Sequence, residues 1–189
     1  MAGAEGSFDP RAILAALEAH YVDYVLIGGL AQVLRGADVI TRGVDICPSF
    51  GRGNFDQLTQ AAADLRPGGP RGRRATLAPD RVAASLVRVT TSAGELGVVG
   101  SPAGVPNGYV DLRRAATRED LGGGIRPLVA ASGDLAAMAA ALHRSRDLER
   151  LPMLRRLVEL EVTREPTAGT SQQGPRVSRS SRSGRHISR

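Results

Sequence analysis

Apolar positions along the chain repeat with two periods, and the period names each element. Asp9-Pro10 reads as a helix start, with an N-cap candidate followed by proline in the first turn. Ile13, Leu14, Leu17 and Tyr21 then form a helical stripe, predicting a helix through residue 20. Residues 22–27 are a continuous apolar run and predict a buried strand. Leu30, Val33 and Leu34 predict a short helix over 29–36, closed by Gly36. Val44-Asp45-Ile46-Cys47 predicts a second strand, 43–47, stopped by Pro48. Phe55, Leu58, Ala62 and Leu65 mark another helix, and RPGGPRGRR (66–74) is a loop by its glycine and proline content. Residues 85–91 and 95–99 read as strands of a hairpin turning at Ala93-Gly94. A Gly/Pro-rich loop follows at 101–108, then a short helix near 110–116 and a strand near 125–129. Ser132 or Asp134 caps a helix to about 143, and Leu151, Leu154, Leu157, Val158 and Leu160 mark a last helix to about 161. Helices alternating with a partly antiparallel sheet give an α/β (α+β) class.

One juncture carries candidate chemistry. Gly28 and Gly29 interrupt the first strand where it turns into a helix, and Asp45 lies inside the next apolar strand. Glycines at such a turn let backbone approach a ligand closely. The helix start offers unpaired N–H groups to phosphate. An acid on the next strand suits Mg²⁺ held against the same phosphate. A tight turn with Asp45 paired to an arginine explains the same residues, because a buried carboxylate needs a cation of some kind.

Charge changes the picture in one place. The chain has 189 residues and a net charge of +6, with arginine supplying every basic side chain. Residues 164–189 hold six arginines and one acid, whereas 1–163 hold 19 arginines and 18 acids. The expected organisation is one domain over 1–163, with a sheet-bearing part to about 130 and a helical part over 131–163. A disordered Arg/Ser-rich tail follows, too poor in apolar surface to offset ordering entropy. One cysteine excludes a disulfide framework and a Cys-cluster zinc site. Three scattered histidines offer no hydrolase triad. No stretch approaches the roughly 20 apolar residues of a membrane span, and the start of the chain does not read as a signal peptide. The expectation is cytoplasmic, with no membrane partner.

The segments LIGGLAQVLRG and ITRGVDI, with TTSAGELGVV (90–99), SPAGVPNGYVDL and SGDLAAMAAALHRSRDLERLPML (132–154), resemble in order the nucleotidyltransferase-fold toxins of the AbiEii and MenT type. The resemblance implies a nucleotidyltransferase-like mixed sheet with flanking helices. It implies transfer of a nucleotide from an NTP to the 3′ end of tRNA with Mg²⁺, inhibiting translation, and a cognate antitoxin protein. Carried over residue by residue, it makes Asp45 and Asp147 catalytic candidates, with Asp45 as metal ligand and Glu95 a third catalytic candidate that stands in for the acid the family has at position 97. Gly28, Gly29, Thr41, Arg42 and Arg144 become nucleotide contacts, and the loop 66–74 and the tail candidates for RNA. Three positions depart from the family pattern: its first strand acid falls on Gly43, its third-strand acid on Gly97 and its helix lysine on Ala139. Substitution by Glu95 or Asp111, a single ion, or reduced activity would each accommodate these departures. A non-catalytic nucleotide- or RNA-binding protein on the same fold is the alternative, and transfer to a small molecule a third.

Overall fold

The structure is a computed structural model that describes residues 8–65 and 77–164. The expected loop at 66–74 and the tail beyond Arg164 lie outside the described residues. Helix α1 (Pro10–Ala19) starts as its sequence dictates. The Asp9 carboxylate accepts from the Ala12 backbone N–H at 3.1 Å, and Pro10 occupies a first-turn position that needs no N–H. Strand β1 (Tyr24–Ile27) runs directly into α2 (Gly28–Leu34). Strand β2 (Gly43–Pro48) and helix α3 (Asn54–Asp64) follow.

Beyond residue 77 come α4 (Pro79–Ala84) and the hairpin β3 (Val87–Thr91) and β4 (Gly94–Val98). Next are α5 (Tyr109–Ala115), β5 (Thr117–Arg118) and β6 (Leu128–Val129), and the described residues end with α6 (Ser132–Leu142) and α7 (Ser145–Arg164). The six strands form one mixed sheet in the order β3-β4-β2-β1-β6-β5, so the expected α/β class holds.

Register sets what each face carries. Ile27 pairs with Asp45, Asp45 with Gly97, and Gly97 with Arg88, which makes one row across β1, β2, β4 and β3. Two residues back, Gly43 pairs with Glu95 and Glu95 with Thr90. By the period of two these rows share a face, and Val44, Ile46, Leu96 and Val98 point away from it. Those four are fully buried with Ile13, Leu14 and Leu17 of α1 and Leu58 of α3 in one core.

Several expectations need correction. The strand near 125–129 contracts to Leu128–Val129, while α4 and β5 have no counterpart in the predicted elements. Neither Ser132 nor Asp134 caps α6: the cap position is Ala131, with no side-chain bond to the helix. The Ser132 backbone N–H and hydroxyl both donate to Glu161 instead, at 3.2 and 2.6 Å. A partner 29 residues away outcompetes the local cap.

Arg35, just after α2, ties the same region together. It donates to the carbonyls of Val129 (2.6 Å) and Ala130 (2.9 Å) and to Glu119 (2.7 Å). Glu161 of α7 lies 3.6 Å from its Nε. A nearly buried cation is thereby paired, and α2 is fixed against β6, α6 and α7.

Candidate functional site

The Gly28-Gly29 bend sits at the C-terminal end of β1, directly over Asp45. Gly28 has φ +70°, a left-handed backbone that suits glycine. A Cβ at Gly28 would run into the Asp45 carboxylate from one side, and a Cβ at Gly97 would run into it from the other. The Asp45 side chain therefore fills the space that two glycines leave open, and an acid at position 97 has no room beside it. Gly29 plays the same part for Thr41, whose Cβ and Oγ1 would lie 2.9 Å from an added Cβ. The Thr41 hydroxyl donates to the Gly43 carbonyl at 3.0 Å, so it satisfies backbone while facing the same space. Asp45 is half-buried and engaged in an interaction of its own.

Above this face lies a cavity of about 570 Å³. Its floor is the bend, Thr41, Arg42, Gly43, Asp45, Arg88 and Glu95. Its far wall is the apolar stripe Leu135, Met138, Ala139 and Leu142 of α6, continued by Arg144, Asp147 and Arg150. All eight residues singled out from the sequence line this one cavity: Gly28, Gly29, Thr41, Arg42, Asp45, Glu95, Arg144 and Asp147. They come from three separated stretches of chain, and the sheet register together with the α6–α7 junction brings them to one place. Ala139, where the resemblance expects a lysine, is buried in the apolar wall.

Electrostatically the cavity is mixed. Arg42, Arg88, Arg144 and Arg150 stand against Asp45, Glu95 and Asp147, four positive side chains to three negative, a net of +1. Arg88 is paired with Glu95. Arg42, Arg144 and Arg150 make no ion pair with another described residue. Guanidinium groups facing a cavity without a carboxylate are suited to phosphate. Helix α2 has only seven residues, so its dipole adds little, and the anion affinity expected at the bend falls to the arginines.

Among the described residues no group of three His, Cys, Asp or Glu side chains could hold a metal ion. Asp45 has Ile27 and Gly97 as its row neighbours. Glu95, which shares a face with position 97, is committed to Arg88. Asp111, weighed as a substitute acid, does not line the cavity. Its carboxylate takes Asn107 at 3.0 Å and Arg114 at 2.8 Å.

Among the lining residues that escaped the sequence reading are Gln32, Arg88 and Arg150. Gln32 follows Gly28 by one helical turn, a spacing that puts it on the same side of α2, but a lone glutamine carries no motif. Gln32 and Asp147 are 7% and 9% exposed. Gln32 Oε1 and Asp147 Oδ2 have no hydrogen-bond partner.

Elsewhere chemistry is muted. Cys47 is buried in the core, as expected, and burial pushes its thiol up to about 12, so it is not a nucleophile at neutral pH. A smaller hollow of about 250 Å³ at the other end of β1 holds Tyr24 and Tyr109 but none of the predicted residues. Burial there raises both phenols above their ordinary range. No helix among the described residues is long and apolar enough to cross a membrane.

No family model matches the chain, and no curated protein matches it. Among solved structures it is similar to a candidate nucleotidyltransferase from Thermotoga maritima, at 15% identity over 85% of this chain and 98% of that one, with a TM-score of 0.42.

Proposed function

We propose that the cavity over Asp45 is a nucleoside triphosphate site and that the chain uses it for nucleotidyl transfer. The observation that carries this reading is the meeting of all eight sequence-derived residues on one cavity in which Arg42, Arg144 and Arg150 pair with no described carboxylate. In the reaction the acceptor hydroxyl attacks the α-phosphorus. A new P–O bond forms, the α–β bridging bond breaks, and pyrophosphate leaves with the electron pair. Arg42, Arg144 and Arg150 hold the phosphates and the departing pyrophosphate. The close backbone at Gly28 and Gly29 lets the triphosphate reach the floor of the cavity. Asp45 faces the reacting phosphate and takes the proton of the attacking hydroxyl, while Glu95 holds Arg88 in place. Mg²⁺ enters as part of the NTP, its usual carrier, rather than as a resident ion.

The acceptor in this reading is the 3′ end of tRNA, as in the AbiEii and MenT toxins that the sequence resembles, with translation blocked and an antitoxin as partner. A second reading has one specific observation in its favour. Asp45 has Ile27 and Gly97 beside it on its row, and Glu95 on the row of Gly43 is paired with Arg88, which suits a nucleotide- or RNA-binding protein without transfer.

Incubating the protein with labelled NTPs, Mg²⁺ and bulk tRNA separates the two. Label on tRNA that disappears with Asp45→Ala supports transfer to tRNA. NTP binding with no label on any acceptor supports the binding protein. Absence of NTP binding overturns transfer, and absence of both NTP and RNA binding overturns both.

A further inference from the structure

Unpartnered polar atoms among the described residues are few, and they are not scattered. Three buried side-chain oxygens lack a hydrogen-bond partner: Gln32 Oε1, Asp134 Oδ2 and Asp147 Oδ2. Two of the three residues, Gln32 and Asp147, line the 570 Å³ cavity, and both are more than nine-tenths buried. A buried polar group without a partner costs stability, so these two weaken the empty protein. The cost is recovered when a bound molecule supplies the missing partners.

The chemistry of those partners follows from the two side chains. An ionised carboxylate accepts only, so Asp147 requires an N–H or O–H donor and repels phosphate. The Gln32 amide has no internal bond to fix its orientation, so it can turn its oxygen to the same kind of donor. The apolar stripe Leu135, Met138, Ala139 and Leu142 lines the same cavity. It suits the flat apolar faces of a nucleobase and offers nothing to a phosphate. The cavity therefore offers arginines for an anion, two of them three residues to either side of Asp147, and acceptors together with apolar side chains for a neutral, donor-bearing group.

We infer that Gln32 and Asp147 form a subsite for the nucleoside half of the ligand, accepting hydrogen bonds from its hydroxyl or amino donors. The inference rests on the nucleotide reading of the cavity, and it adds Gln32, which no motif marks. It also predicts a signature that a purely structural role would not give. Removing the unpartnered amide stabilises the empty protein and weakens nucleoside binding at the same time.

The test compares ATP with inorganic tripolyphosphate on the full chain, by calorimetry, for the wild type, Gln32→Met and Asp147→Asn. Gln32→Met raises the melting temperature of the empty protein and weakens ATP by about tenfold, the equivalent of one lost hydrogen bond with its partner left unpaired. Tripolyphosphate binding stays within about twofold. Asp147→Asn likewise weakens ATP more than tripolyphosphate.

Two further ligands assign the donor. A deficit of 2′-deoxy-ATP that vanishes in the variants identifies a ribose hydroxyl, and a deficit of UTP against CTP that vanishes identifies a base amino group. Equal weakening of ATP and tripolyphosphate, or no change in either, overturns the inference while wild-type ATP binding leaves the nucleotide reading standing. Failure of the wild type to bind either ligand overturns both.

Discussion

Arg35 and the cavity arginines are the same residue type in one fold, and they are treated in opposite ways. The nearly buried Arg35 is paired on several sides: two backbone carbonyls, Glu119 and Glu161 surround it. Arg42, Arg144 and Arg150 face a cavity and pair with no other described side chain. The acceptors divide likewise. Glu161 receives both the Ser132 N–H and its hydroxyl, whereas Gln32 and Asp147 receive nothing. A side chain with all its valences filled inside the protein holds the fold. A side chain left unfilled in a cavity is available to something that is not the protein.

Breaking the filled region has the largest effect. Arg35→Ala leaves two carbonyls and Glu119 without their donor, and chemical denaturation should show a loss of about 3 kcal/mol, typical of a broken buried ion pair. Gly97→Ala is next. Its Cβ meets the Asp45 carboxylate, and forcing that side chain aside should cost about 1–3 kcal/mol by overpacking. NTP affinity should fall with it, because Asp45 leaves the cavity floor.

The unfilled region behaves differently. Arg144→Ala should leave the denaturation midpoint nearly unchanged and weaken NTP by about tenfold, the worth of one charge-assisted hydrogen bond. A stability loss as large as that of Arg35→Ala would erase the distinction between the two regions.

The smallest effect belongs to Asp134, which lacks a partner at Oδ2 but does not line the cavity. Burial first, and Asp111 second, raise its pKa. A carboxyl with a raised folded pKa binds its proton more tightly in the native state than in the unfolded one. Stability is therefore lost as pH rises through the folded value and regained as pH falls. Asp134→Asn should raise the melting temperature slightly at pH 7, and the gain should shrink as the pH enters the carboxylate range. A gain that does not vary with pH would remove burial of the charge as its cause.

How far the sequence speaks follows from the range of each interaction. The bend, its flanking strands and Asp45 are legible because they depend on neighbours: apolar runs, two glycines and a proline stop. The hairpin is legible for the same reason. Helix α4 and strand β5 are too short for periodicity to mark. The Ser132 cap fails because Glu161, far along the chain, takes its hydroxyl. Gln32 and Arg150 join the cavity only through the packing of α2, α6 and α7, which no local pattern encodes. Glu95 shares a face with position 97 by the period of two, but its pairing with Arg88 depends on hairpin register.

The central claim is that an NTP occupies the cavity over Asp45, and photo-crosslinking tests it most directly. An azido-NTP irradiated on the full chain, followed by peptide mapping, should label segments around 27–45 and 135–150, with labelling suppressed by excess unmodified NTP. Saturable labelling confined to other segments, such as the hollow beside Tyr24 and Tyr109, would contradict the account.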